Sequence, residues 1–138
     1  MRITKQYLNE LTYNVIGAAI EVHKEMGSAL TEPTYHKCMA REFEIRGIKY
    51  ESEKLVHVEY KGLKLKDPLR CDFLVEDILV VELKAVSAIL PIHEAQLISY
   101  MELLKKPKGI LINFHVRNIT SEGVKTFVNK YFSELPDA

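Results

Sequence analysis

Leu69-Arg70-Cys71-Asp72-Phe73-Leu74-Val75, then Glu76-Asp77, then Ile78-Leu79-Val80-Val81-Glu82-Leu83-Lys84-Ala85 is the stretch whose reading decides the fold. It reads as strand, turn, strand. The second run is apolar and rich in branched residues, the composition of a strand buried on both faces. Glu82 and Lys84 interrupt it two residues apart, so both side chains leave one face of the sheet. A buried carboxylate or ammonium costs several kcal/mol unless it is paired or holds a metal. Asp72 on the neighbouring strand completes an Asp…Glu-x-Lys constellation, a donor set suited to Mg²⁺ with a cation beside it. A solvated ion-pair ladder on an exposed sheet face is the alternative reading of the same trio.

The register can be checked from the spacing alone. Opposed residues of an antiparallel pair point to the same face. A two-residue turn at Glu76-Asp77 would set Asp72 opposite Val81, facing away from Glu82. Bringing the two carboxylates together requires one residue more or less, so the reading predicts an irregularity between them: a three-residue loop or a β-bulge.

Outward from this stretch, residues 5–26 read as a helix, with Leu8, Leu11, Val15, Ala18, Ala19 and Val22 recurring at three and four. His23 near its end reads as a surface or partly buried side chain, and Gly27-Ser28 stops the helix. A second helix opens at Thr31 as N-cap, tolerates Pro33 in its first turn and runs to Arg46, turning Tyr35, Cys38, Met39, Phe43 and Ile45 inward. Gly47 is its C-cap. Glu32 in the first turn is already favoured by the helix dipole. Residues 48–59 alternate as a strand, residues 60–62 turn, and residues 63–66 form a short strand before Asp67-Pro68. A third helix spans residues 91–105, with Ala95, Leu97, Ile98, Met101 and Leu104 as its apolar side and Gln96 and Tyr100 four apart. Residues 110–114 form an apolar strand. The segment to Val128 fits a strand or a helix equally, and residues 133–138 are expected to fray. Helix, helix, strand meander, helix, strand implies an α/β sandwich with a mixed sheet flanked by helices. In it, the strand ending at Lys84 and strand 110–114 are parallel neighbours joined by the third helix.

Composition bounds the function. The 138 residues suit one domain, spanning 1–138, and the 47% hydrophobic and 28% charged fractions are those of a soluble globular chain. Lys+Arg and Asp+Glu are both 19, which argues against nucleic-acid binding by bulk charge while leaving a local basic groove open. No apolar run approaches the ~20 residues that span a bilayer. Residues 1–6 lack the apolar core of a signal peptide, so the expectation is a cytoplasmic protein without a membrane partner. Cys38 and Cys71 read as buried free thiols.

Asp72…Glu82-Leu83-Lys84 resembles the signature of the PD-(D/E)XK nuclease superfamily. Arg70-Cys71-Asp72 is similar to the Arg-x-Asp strand, and Gln96-Leu97-Ile98-Ser99-Tyr100 to the Gln-x-x-x-Tyr helix, of its RecB-type members. Gly27-Ser28-Ala29-Leu30-Thr31-Glu32-Pro33-Thr34-Tyr35 resembles the motif of the bacterial GxxExxY proteins, small stand-alone members of that superfamily. Ala29 stands where many members have a second glycine, and Pro33 is a further departure. The resemblance runs from about residue 11 to 129 and implies a restriction-endonuclease-like core. It implies that Asp72 and Glu82 hold Mg²⁺ or Mn²⁺ with the Leu83 carbonyl, and that Glu32 reaches the same site. Lys84 would orient the attacking water or stabilise phosphate charge, Gln96 would orient site residues or substrate, Tyr100 would support Gln96, and Arg70 would balance the carboxylates or touch phosphate. The implied activity is metal-dependent phosphodiester hydrolysis of nucleic acid, DNA first, in repair or in defence against foreign DNA. The rivals are an inactive nucleic-acid- or protein-binding domain that retains the fold, and a hydrolase of another phosphate substrate. Two lysine groups, Lys61, Lys64 and Lys66 with Arg70, and Lys105, Lys106 and Lys108, are candidates for phosphate contacts, or else solvated turn lysines.

Overall fold

The computed structural model describes residues 2–138. Helix α1 (Lys5–Met26) and helix α2 (Glu32–Arg46) precede strand β1 (Tyr50–Val56) and a small hairpin of β2 (Glu59–Tyr60) and β3 (Leu63–Lys64). Then follow β4 (Leu69–Val75), β5 (Leu79–Lys84), α3 (Pro91–Leu104), β6 (Lys108–Asn113), a π-helical turn (Ile119–Gly123), β7 (Val124–Val128) and α4 (Lys130–Ser133). The main sheet has the order β1-β4-β5-β6-β7; β5 and β6 are parallel and the other pairs antiparallel. The ambiguous segment after β6 resolves into both a helical turn and a strand.

The layers follow from side-chain alternation. Leu79, Val81 and Leu83 of β5 face α1 and α2, in a core with Leu8, Val15, Ala19, Tyr35, Met39 and Phe43. Val80 faces the other way, in a second core with Leu97, Tyr100, Met101 and Leu111 under α3. The central strand is thus apolar on both faces because each face carries a helix layer.

Helix α1 is capped by Thr4, whose hydroxyl accepts from the Tyr7 N–H at 2.9 Å, and ends at Gly27 (φ 78°). Helix α2 ends at Gly47 in the left-handed region (φ 69°). Thr31 does occupy the N-cap of α2, but its hydroxyl bonds Thr34 at 3.0 Å instead of a backbone amide. Ile45 points outward at 63% exposure; the buried stripe of α2 is Tyr35, Met39 and Phe43, and Cys38, expected to be buried, is half-buried against the same core.

Helix α3 keeps Leu97, Met101 and Leu104 on its inner side as expected, but that side is shifted toward Tyr100. Leu97, Tyr100 and Met101 are buried, whereas Ala95 and Ile98 face solvent. The sheet surface decides this. Gly109 on β6 leaves room for α3: a Cβ there would lie 2.7 Å from Met101 Sδ and 2.9 Å from Leu97 Cδ1. The chain end is also ordered differently from expectation. The Pro136 and Asp137 carbonyls accept from the Lys5 and Gln6 N–H groups at 2.8 and 3.0 Å, satisfying first-turn donors of α1 that have no intrahelical partner. Residues 136 and 137, expected to fray, are thus paired with the start of α1. Among the described residues, no helix is long and apolar enough to cross a membrane.

Candidate active site

The site begins with the loop at residues 76–78. It contains three residues, with Glu76 and Asp77 at φ 51° and 59°, and it pairs Phe73 with Val81 and Val75 with Leu79. This is one of the two irregularities the spacing required, and continuing the register brings Asp72 opposite Glu82. Glu76 is held in place because its carboxylate accepts from the Lys49 N–H at 2.8 Å and its own N–H donates to the Lys49 carbonyl at 2.8 Å.

The regular β4–β5 pairing stops at Phe73↔Val81. Beyond it the carboxylates take over backbone donors. Asp72 Oδ2 accepts from the Leu83 N–H at 2.7 Å, and Glu82 Oε1 accepts from the Asp72 N–H at 3.2 Å. Alternation along β4 breaks at the same point. Cys71 and Leu74 pack in the core under α3, whereas Phe73 and Val75 pack toward α1 and α2. Opposite this break, Glu53 of β1 has φ 54°, a conformation costly for a non-glycine residue and frequent at functional sites. The two carboxylates converge where the strands part, rather than side by side on a flat face.

Glu82 is 5% exposed. Burial first, and the neighbouring Asp72 charge second, push its carboxyl up to about 9, partly offset by Lys84. Repulsion from Asp72 is thus real but secondary to desolvation. The same environment pushes the Cys71 thiol up to about 12, through burial and then the charges of Glu82 and Asp72. Tyr100 is likewise raised by burial and then by Glu82, Cys71 and Asp72, and it lies in the core under α3 that also holds Cys71.

Asp72 opens into a cleft of about 490 Å³ that is also lined by Glu32, Pro33, His36, Glu53 and Leu83. The first turns of α2 form one wall. Glu32 and Asp72 thus line the same cleft. Lys84 is half-buried, close enough for its charge to act on Glu82, and within 4 Å of no carboxylate among the described residues. Gln96 is exposed on α3 and does not line the cleft. Arg70 is exposed on β4, two residues before Asp72. A larger cavity, about 820 Å³ between α1 and the C-terminal segment, lies away from the paired carboxylates.

The two lysine groups separate. Lys61, Lys64 and Lys66 belong to the β2–β3 hairpin and the segment after it, which leads into the Asp72 end of β4. Lys105, Lys106 and Lys108 precede or begin β6, where Lys108 pairs with Leu79, at the opposite end of β5 from Lys84. Lys108 is 7% exposed, donates to Asn9 Oδ1 at 3.0 Å and has its pKa lowered by burial. Lys106 reaches Asp77 at 3.5 Å. This second group does not line the cleft: Lys108 pairs with Leu79, three residues before Glu82 on β5.

His36 and Ser52 went unnoticed in the sequence. His36 lies one helical turn after Glu32, an i,i+4 spacing that could have signalled a shared face. Ser52 stands on β1 with no local signature at all.

The donor chemistry fits a hard divalent cation. Among the described residues, no three His, Cys, Asp or Glu side chains are grouped as a metal site. Mg²⁺ needs fewer, since it commonly binds through one or two carboxylates and keeps several waters. Asp72 and Glu82 each use one oxygen on a backbone amide and retain another.

A family model described as the PD-(D/E)XK nuclease superfamily matches residues 9–127. No curated protein and no solved structure matches the chain.

Proposed function

Since the chain belongs to the PD-(D/E)XK nuclease superfamily, we propose that it is a divalent-metal-dependent phosphodiesterase acting on nucleic acid, with DNA as substrate. The observation that carries this reading is the Asp72–Glu82 pair. Two carboxylates meet at a strand opening beside a cleft, and burial first, then Asp72, pushes the carboxyl of Glu82 up.

Asp72, Glu82 and the Leu83 carbonyl would hold Mg²⁺ or Mn²⁺, and Glu32 on the cleft wall would join them directly or through water. The ion, when bound, supplies positive charge to the phosphate and favours ionisation of water. Lys84 offers its ammonium to the same phosphate region, against charge that develops during phosphodiester cleavage. Tyr100 closes the α3 side and keeps bulk water from Glu82. Arg70, Lys61, Lys64 and Lys66, at the Asp72 end of the sheet, contact flanking phosphates. Gln96 orients substrate at the outer rim of α3. This local basic set explains how a chain of zero formal net charge can bind a polyanion. A role in repair or in defence against foreign DNA follows as the biological setting of such an activity.

The test is incubation with labelled single- and double-stranded DNA and RNA in Mg²⁺, Mn²⁺ or EDTA, beside Glu82→Ala. Metal-dependent cleavage of DNA by the wild type alone is expected. Absence of cleavage together with absence of metal binding would overturn the reading in favour of an inactive binding domain.

A further inference from the structure

His36 occupies a position that the nuclease signature does not assign. Its ring stacks on Phe73, with centroids 4.2 Å apart and planes at 18°. Nε2 lies 2.6 Å from Ser52 Oγ, and Nδ1 lies 3.8 Å from Asp72 Oδ1. The side chain is mostly buried, at 16% exposure, and lines the cleft with Asp72. Three elements thus fix one imidazole: α2 carries it, β1 supplies the hydroxyl and β4 supplies the stacking ring.

The tautomer follows from what surrounds the ring. A carboxylate only accepts hydrogen bonds, while a serine hydroxyl can donate or accept. If Ser52 accepted from Nε2–H, bare Nδ1 would confront the Asp72 carboxylate, lone pair toward lone pair. If Ser52 donates to Nε2, the proton resides on Nδ1 and the N–H pole faces Asp72. Of these two neutral tautomers the second is favoured electrostatically, and a doubly protonated ring would present the same Nδ1–H to Asp72. Asp72 Oδ2 then accepts from the Leu83 N–H at 2.7 Å, while the His36 N–H pole faces Oδ1 from 3.8 Å, an electrostatic contact that leaves this oxygen open.

We propose that His36, itself oriented by Ser52, is a positioning residue that sets the direction of the Asp72 carboxylate in the cleft and so tunes its affinity for a divalent cation. This rests on the proposed metal-dependent reading of the site. Partners that orient a ligating side chain typically account for 10–100-fold in metal affinity. The geometry here is of that kind, with an aromatic stack restricting the ring and a hydroxyl setting its tautomer.

The experiment is Mn²⁺ titration by calorimetry, with melting curves in EDTA, on wild type, His36→Phe and His36→Asn. Phenylalanine keeps the stack on Phe73 and removes the N–H; asparagine restores an N–H donor near the place of Nδ1. The expected result is Mn²⁺ affinity lowered roughly 10-fold or more in His36→Phe, with a melting temperature close to wild type, and most of the affinity regained in His36→Asn. Equal affinity in wild type and His36→Phe would overturn the proposal and leave the metal-dependent reading intact. Equally weak binding by His36→Phe and His36→Asn would also overturn it. No Mn²⁺ binding by the wild type would instead overturn the reading on which it rests. Should His36→Phe fail to fold, His36→Leu against His36→Asn makes the same comparison, with equal affinities counting against the proposal.

Discussion

Glu82 shows how burial governs a single side chain. Its carboxyl is raised to about 9 in the folded chain, chiefly by desolvation and then by Asp72. A carboxyl with a raised folded pKa favours the fold most when protonated. Its contribution is complete below pH ~4.3, the unfolded value, and is lost as pH rises through about 9. In metal-free buffer, Glu82→Gln is therefore expected to melt roughly 3–5 °C above wild type at pH 8, about what 1 kcal/mol produces in a domain of this size. The gap should close toward pH 5, as scanning calorimetry across pH would show. The same variant should lose any stabilisation by millimolar Mn²⁺, because a neutral amide is a poor substitute for a carboxylate. Lys84→Ala is expected to behave differently. Mn²⁺ affinity should stay within a few-fold of wild type, while turnover falls by roughly 100-fold or more, the scale of removing one charge-stabilising donor. Single-turnover cleavage beside calorimetry separates the two effects.

At the scale of elements, the loop at residues 76–78 sets the geometry of the site. Its three residues put Asp72 opposite Glu82, and the Glu76–Lys49 contacts tie it to the segment before β1. Deleting Leu74, between this loop and Asp72, keeps the turn and slips the rest of β4 by one. Asp72 would then meet Val81, and Phe73 would turn away from its core. A loss of about 3 kcal/mol or more is expected from chemical denaturation. Metal binding should be abolished even in whatever fraction remains folded. The requirement for an extra residue was legible in the spacing of Asp72 and Glu82. The parting of the strands was not: it coincides with the positive φ of Glu53 on β1, in register with Asp72, which no local pattern announces. The inner face of α3 departs from its sequence pattern at Ala95 and Ile98 for a related reason. Ala95, Leu97, Ile98, Met101 and Leu104 make a reasonable apolar stripe in isolation, but the bare backbone at Gly109 admits Leu97 and Met101. Tyr100 then settles over Cys71 in place of an aliphatic neighbour.

Across the whole molecule, the ends of the described chain meet. The Pro136 and Asp137 carbonyls accept from the first turn of α1, and Phe132 and Leu135 pack against the main core. Removing residues 134–138 should leave those α1 donors to water and uncover part of the core. A cost of about 1–2 kcal/mol is expected, measurable as a lowered urea midpoint, with Mn²⁺ affinity unchanged because the segment lies away from the cleft. The sequence by itself determined the layered α/β architecture, since a doubly apolar β5 demands helices on both faces. It also determined the paired carboxylates, since buried charge is too costly to place without a partner. Only the tertiary structure decided which residues surround them. Glu32, His36, Ser52 and Glu53 come to Asp72 from two other elements, and the lysines near residue 108 prove to lie at the far end of β5. The physical reason is that periodicity reports which face a side chain leaves on its own element. The partners it meets there depend on strand order and on the seating of each helix, which are settled only when the layers pack.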